Sequence, residues 1–127
     1  AESADFPLYL QMRLPTLGEV RGRIVLLCDW SSGSMGLRWG SKAMRIQDEF
    51  WQSSGTKKWQ VVRRSLNNSR ARANILHVHF TSATSLPRKF PLTIAKSVNP
   101  KLCLYLRTAR RHFFGIVAMD FPSAVLC

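Results

Sequence analysis

The sequence predicts an α/β fold of parallel strands, an incomplete barrel of about four strands with two or three helices. Three observations carry this. Short apolar runs rich in branched residues alternate with stretches of helical periodicity, the order expected of parallel strands joined by right-handed crossovers. Three of the seven acidic residues, Asp29, Asp48 and Asp120, fall at the C-terminal ends of three of those runs, and that rim is where parallel barrels assemble their sites. The chain has 127 residues, half of the roughly 250 that a closed eight-stranded barrel takes.

Taken in order, residues 1–13 read as an extended lead-in, and Leu14-Pro-Thr-Leu-Gly18 as a turn punctuated by Pro and Gly. Arg23 to Asp29 is a short continuous apolar run, the pattern of a strand buried on both faces. Residues 31–43, rich in Ser and Gly, read as a loop, and Ala43 to Asp48 as a second strand. Thr56 to Ala73 reads as a helix: Trp59, Val62 and Leu66 recur at helical spacing, and Lys57, Lys58, Arg63, Arg64, Arg70 and Arg72 supply the polar face. Asn74 to Thr81 is a third strand, followed by a loop from Ser82 to Lys89. A second helix covers Pro91 to Arg107, with an interruption expected at Asn99-Pro100 because proline breaks an interior turn. Phe113 to Asp120 is the fourth strand, stopped by Phe121-Pro122. The whole reads as one partial domain over residues 1–127.

Composition bounds the partners. A 46% hydrophobic content argues against disorder, and no stretch approaches the ~20 apolar residues of a membrane span. The chain does not open on Met, so Ala1 reads as a processed terminus or the edge of a fragment. Nineteen Lys and Arg against seven acids give a net charge of +12, which favours nucleic acid, anionic lipid surfaces or phosphorylated substrates without choosing among them. Cys28, Cys103 and Cys127 are odd in number and widely spaced, so they form neither a disulfide framework nor a zinc motif.

The ordered motifs LPTLGEVRGRIVLL (Leu14 to Leu27), RIQDEF (Arg45 to Phe50), ILHVHFTSAT (Ile75 to Thr84), IAKSVNP (Ile94 to Pro100) and GIVAMDFP (Gly115 to Pro122) resemble the second half of the catalytic barrel of phosphatidylinositol-specific phospholipases C, of the bacterial and fungal single-domain type. The resemblance spans residues 14–122. It implies a TIM-barrel-like phosphodiesterase fold, present here as its C-terminal half. It also implies the cleavage of phosphatidylinositol to diacylglycerol and a cyclic inositol phosphate: one histidine acts as base on the inositol hydroxyl, another as acid on the leaving group, an arginine binds the phosphate, and an aspartate supports the base. A hydroxyl attacks only once a base takes its proton, and the departing alkoxide needs an acid. A carboxylate behind the base fixes its tautomer and stabilises its cation.

By the same resemblance Asp120 matches the aspartate behind the base, and Asp48 an acceptor for inositol hydroxyls. Phe50 matches the aromatic ring against the sugar, Phe standing where the bacterial enzymes have Tyr. Asp29 stands where the family often has a basic residue that contacts inositol, a reversal of charge. The histidines and the arginine belong to the half upstream of LPTLGEVRG, so the chain alone is expected to be inactive. The resemblance implies neither cofactor nor metal. It favours a secreted or membrane-peripheral protein whose partner is a phosphatidylinositol-type lipid or an anionic membrane surface.

Other candidates are weaker. His77 and His79 form an H-x-H pair on one strand face, a zinc-like spacing for which no third ligand is in place. His112 precedes a strand and belongs to the opposite rim. Trp30, Trp39 and Trp51 lie in or beside rim loops, where indoles suit a lipid interface. The alternative function is a basic, non-catalytic module that binds anionic membrane or nucleic acid through the first helix and residues 107–111. No nucleic-acid-binding motif is recognisable. A half-barrel also exposes strand edges, which favours self-association.

Overall fold

The computed structural model describes residues 7–30, 35–72, 74–84, 90–110 and 113–122. His112, Cys127, Ala73 at the expected end of the first helix, and residues 85–89 of the expected loop lie outside them. The chain divides into two compact units, residues 1–45 with 73–76 and residues 46–72 with 77–127.

In the first unit the described part of the lead-in is extended. Its residues Leu8–Tyr9 form strand β1, parallel to β2 (Ile24–Val25), and β3 (Leu27–Cys28) pairs in parallel with β4 (Leu37–Arg38). The expected single strand over 23–29 is thus two, changing partner at Leu26, whose carbonyl accepts the Leu37 amide at 2.8 Å. Nor is it buried on both faces: Cys28 is buried but Ile24 is 48% exposed. β4 arises inside the region read as loop. Two residues are too few to leave a pattern, and its place is set by pairing. The Thr16-to-Glu19 turn closes on itself. The Glu19 carboxylate accepts from the Thr16 amide at 2.8 Å, while the Thr16 hydroxyl accepts from the Glu19 amide at 3.4 Å. Arg13 pairs with the same carboxylate. Its hydrogen bond, with those from Thr16, holds the Glu19 pKa down at about 2. Reciprocal bonding of this kind is the capping-box device used on a turn.

β5 (Met44–Gln47) leads into the second unit, where β5, β6 (Leu76–Phe80) and β7 (Ile116–Ala118) form a sheet in that order. β6 and β7 are parallel, with Val78 opposite Ile116 and Phe80 opposite Ala118. Beyond their ends, Trp51 and Thr84 form a further parallel bridge. The described residues therefore hold seven short strands where about four were expected, the surplus coming from the lead-in, the split strand and β4.

Helix α1 (Gly55–Asn68) starts at Ser54, whose hydroxyl accepts the Lys57 amide, and ends at Ser69, short of the expected Ala73. Its stripe at 55, 58, 62 and 66 faces inward. Lys58, assigned by pattern to the polar face, is therefore fully buried. Helix α2 (Pro91–Thr108) opens on proline, whose missing N–H costs nothing at a first turn, and runs without interruption through Pro100. Buried Val98, Asn99 and Leu102 bracket that proline, and packing overrides the local preference. Val62, Leu66 and Leu102 form a core with Trp59, Tyr105, Phe114, Val117 and Met119 around it, and Ala83, Ile94 and Val98 a second one. α1 crosses α2 where a Cβ on Gly55 would lie 2.4 Å from Ser97 Cβ.

The histidine pair is part of this core. His79 is fully buried, its Nδ1 2.9 Å from Ser65 Oγ and its Nε2 3.0 Å from Ser69 Oγ. Ser69 Oγ donates to the Ser65 carbonyl at 3.2 Å. It therefore accepts from Nε2–H, which leaves Nδ1 to accept the Ser65 hydroxyl proton. His77 stacks on His79 with ring centres 6.1 Å apart.

Two outcomes follow from this packing. Gly115 has φ +76°, and a Cβ there would sit 2.3 Å from the His77 carbonyl oxygen. Gly115→Ala should lower stability by about 3 kcal/mol, read from urea unfolding. Burial lowers the pKa of His79 from 6.5. Below that pH the unfolded chain takes up the proton first, so stability is full above about pH 6.5 and falls as the pH drops. Urea midpoints from about pH 7.5 to about pH 5.5 should show this slope, and His79→Leu should flatten it.

Candidate active-site rim

The rim residues of the second unit are set by the ends of its strands. Asp120 follows β7 by one residue and is half-buried. Its carbonyl accepts from Asn99 Nδ2 at 2.9 Å, and Asn99 is fully buried on α2. Phe121, next in the chain, has φ +51°, the left-handed region that a bulky side chain enters only when its surroundings force it. Asp120 is thus held from both sides: by a buried amide behind it and by a sharp change of chain direction after it.

Asp48 follows β5 directly and is exposed. With Gln47, Glu49, Arg64, Ser65 and Asn68, and the apolar Ile46 and Val61, it lines an open cleft of about 520 Å³ beside α1. Asp120 is not part of that cleft. Phe50 is 39% exposed and meets Trp51 edge-on at 5.7 Å. Its carbonyl accepts from the Thr84 amide at 3.0 Å, which ties this aromatic pair to the extension of β6.

Lys58 lies beneath these residues. Its Nζ donates to the Glu49 carbonyl at 2.9 Å. In the amide orientation that its neighbours dictate, Gln47 accepts from Lys58 Nζ at 3.3 Å and from the Glu49 amide at 3.1 Å, and donates to the Phe80 carbonyl at 3.1 Å. Burial lowers the Lys58 pKa, and the negative charges of Asp48, Glu49 and Asp120 oppose that shift. Thr81, at the end of β6, and Asn99 are both buried, with Thr81 Oγ1 and Asn99 Oδ1 unpartnered among the described residues.

Asp29 belongs to the first unit, where it lines a cavity of about 120 Å³ with Cys28, Trp30, Arg38 and Trp39. The pairing of Cys28 with Arg38 puts a cation in the same cavity as the reversed charge. Among the described residues no three His, Cys, Asp or Glu side chains come together as a metal would need, and no helix is long and apolar enough to cross a membrane.

Lys58, Asn99 and Arg38 are the polar residues of these sites that pattern reading passes over. For Lys58 a signal existed: it stands four and eight residues before Val62 and Leu66, on the apolar stripe.

No protein-family model matches the chain. A curated relative, the 1-phosphatidylinositol phosphodiesterase of Listeria monocytogenes, is 30% identical over 122 residues, covering 87% of this chain and 38% of the relative. The solved structure of phosphatidylinositol-specific phospholipase C from Listeria monocytogenes superposes with a TM-score of 0.74 at 28% identity, covering 90% of this chain and 45% of that one. The chain thus spans less than half the length of the relatives it matches. Its α/β fold is the one expected, part of a phospholipase C-type barrel fold. In sequence and in fold, this chain is similar to part of the phosphatidylinositol-specific phospholipase C of Listeria monocytogenes.

Proposed function

We propose that the chain is the C-terminal half of a catalytic barrel that cleaves phosphatidylinositol to diacylglycerol and a cyclic inositol phosphate. The observation that carries this reading is Asp120, a carboxylate at a strand end whose backbone is fixed by a fully buried amide, Asn99. Likeness to a phosphodiesterase over most of the chain supports it. In this reading Asp120 accepts a hydrogen bond from the base histidine, holds its ring in the tautomer that can take the inositol hydroxyl proton, and stabilises the cation that results. Asp48 accepts hydrogen bonds from inositol hydroxyls, and Phe50 packs on the sugar face.

The base, the acid and the phosphate-binding arginine come from the other half of such a barrel. The chain's own described histidines, His77 and His79, are buried side chains of β6. The purified chain should release no inositol phosphate from phosphatidylinositol vesicles. Release that Asp120→Asn abolishes would overturn this. Asp48→Asn should weaken the binding of myo-inositol by roughly 10-fold or more, the worth of one hydrogen bond to a charged group.

Phe50, Trp51, Phe90 and Phe121 are exposed at strand ends and at the start of α2. Such a rim suits the interface of an anionic membrane. Vesicles containing phosphatidylinositol should bind the chain, and Trp51→Ala should weaken that binding several-fold. A steep salt dependence with DNA and no lipid preference would favour the alternative, a basic nucleic-acid-binding module. Leu8, Ile24 and Ile116, on the outlying strands, are also exposed, which supports self-association. Sedimentation should show more than a monomer.

A further inference from the structure

Lys58 is unexplained by the fold. It occupies an interior position on the apolar stripe of α1, fully buried, where Leu or Met would avoid the cost of burying a charge. Its hydrogen bonds go to Glu49 and Gln47, the residues on either side of Asp48. Gln47 carries the link on to the Phe80 carbonyl at the end of β6. One ammonium therefore ties the segment bearing Asp48 to the neighbouring strand.

Its charge has a second direction. No acidic residue lies between Glu49 and Asp120 in the sequence, so the second unit holds only three carboxylates, and all three act on Lys58. The many other cations of this unit are mostly exposed and screened by solvent, whereas a buried charge acts through a poorly polarisable medium.

We propose that Lys58 is a positioning residue for Asp48: its hydrogen bonds fix residues 47–49 against the end of β6. The proposal rests on the reading of this rim as an inositol-binding site.

The test compares the full chain with Lys58→Met, which keeps the stem and loses the charge, and Lys58→Arg, which keeps the charge. Backbone amide resonances, melting temperature and myo-inositol affinity are measured for each. Lys58→Met should melt at the same temperature or higher, bind myo-inositol at least tenfold more weakly, and shift the amides of Asp48 and Glu49. Lys58→Arg should return those amides towards their original positions. A Lys58→Met variant that melts lower, or that leaves the Asp48 and Glu49 amides unmoved, overturns the proposal and makes Lys58 a structural residue only. If the unmodified chain does not bind myo-inositol, the inositol reading fails by itself, and the Asp48 amide still decides the role of Lys58.

Discussion

The second unit depends on a contact with no room for a side chain, the bare Cα of Gly55 against Ser97. It lets α1 and α2 approach closely enough for Val62, Leu66 and Leu102 to share one core. It also sets the height of each helix over the sheet. Lys58 lies one turn beyond Gly55, and Asn99 two residues beyond Ser97. Both polar side chains arrive at the strand ends as a result: one beneath Gln47 and Glu49, the other against the carbonyl of Asp120. A shift of one helix along the other would leave a buried ammonium and a buried amide without partners, which is far costlier than a lost apolar contact. Core and rim are therefore fixed by the same crossing.

What the sequence made legible was what period and position encode. The three strand ends carrying Asp29, Asp48 and Asp120, and the two helices, can be read from apolar runs and helical spacing. The ordered motifs carried the resemblance, and among them the Thr16–Glu19 turn is closed by reciprocal bonding. The pairs β1–β2 and β3–β4 stayed illegible because each strand is two residues long, too short for any alternation. Pro100 misled for a related reason: a local penalty was weighed without the burial of Val98, Asn99 and Leu102 that outweighs it.

Of the candidate rim, the acids at strand ends were legible and the buried side chains behind them were not. A lysine in a basic helix looks like a solvated face, and only its register with Val62 and Leu66 distinguishes Lys58 from its neighbour Lys57. Asn99 was read as part of a helix break, yet it anchors the residue to which the functional reading gives the central role. Residues that touch a ligand advertise themselves by type, whereas those that hold them in place are known only by what they touch.

The bonding around His79 bears on how far sequence signatures can be trusted in this fold. The two ring nitrogens meet Ser65 and Ser69 on opposite sides, and the ring also bonds the Phe114 backbone. Neither metal affinity nor titration is required of it. A carboxamide offers a donor and an acceptor from one planar group. The second histidine of the H-x-H spacing is therefore interchangeable in principle with asparagine or glutamine, and its resemblance to a zinc ligand is an accident of which hydrogen-bonding plane the core happens to use.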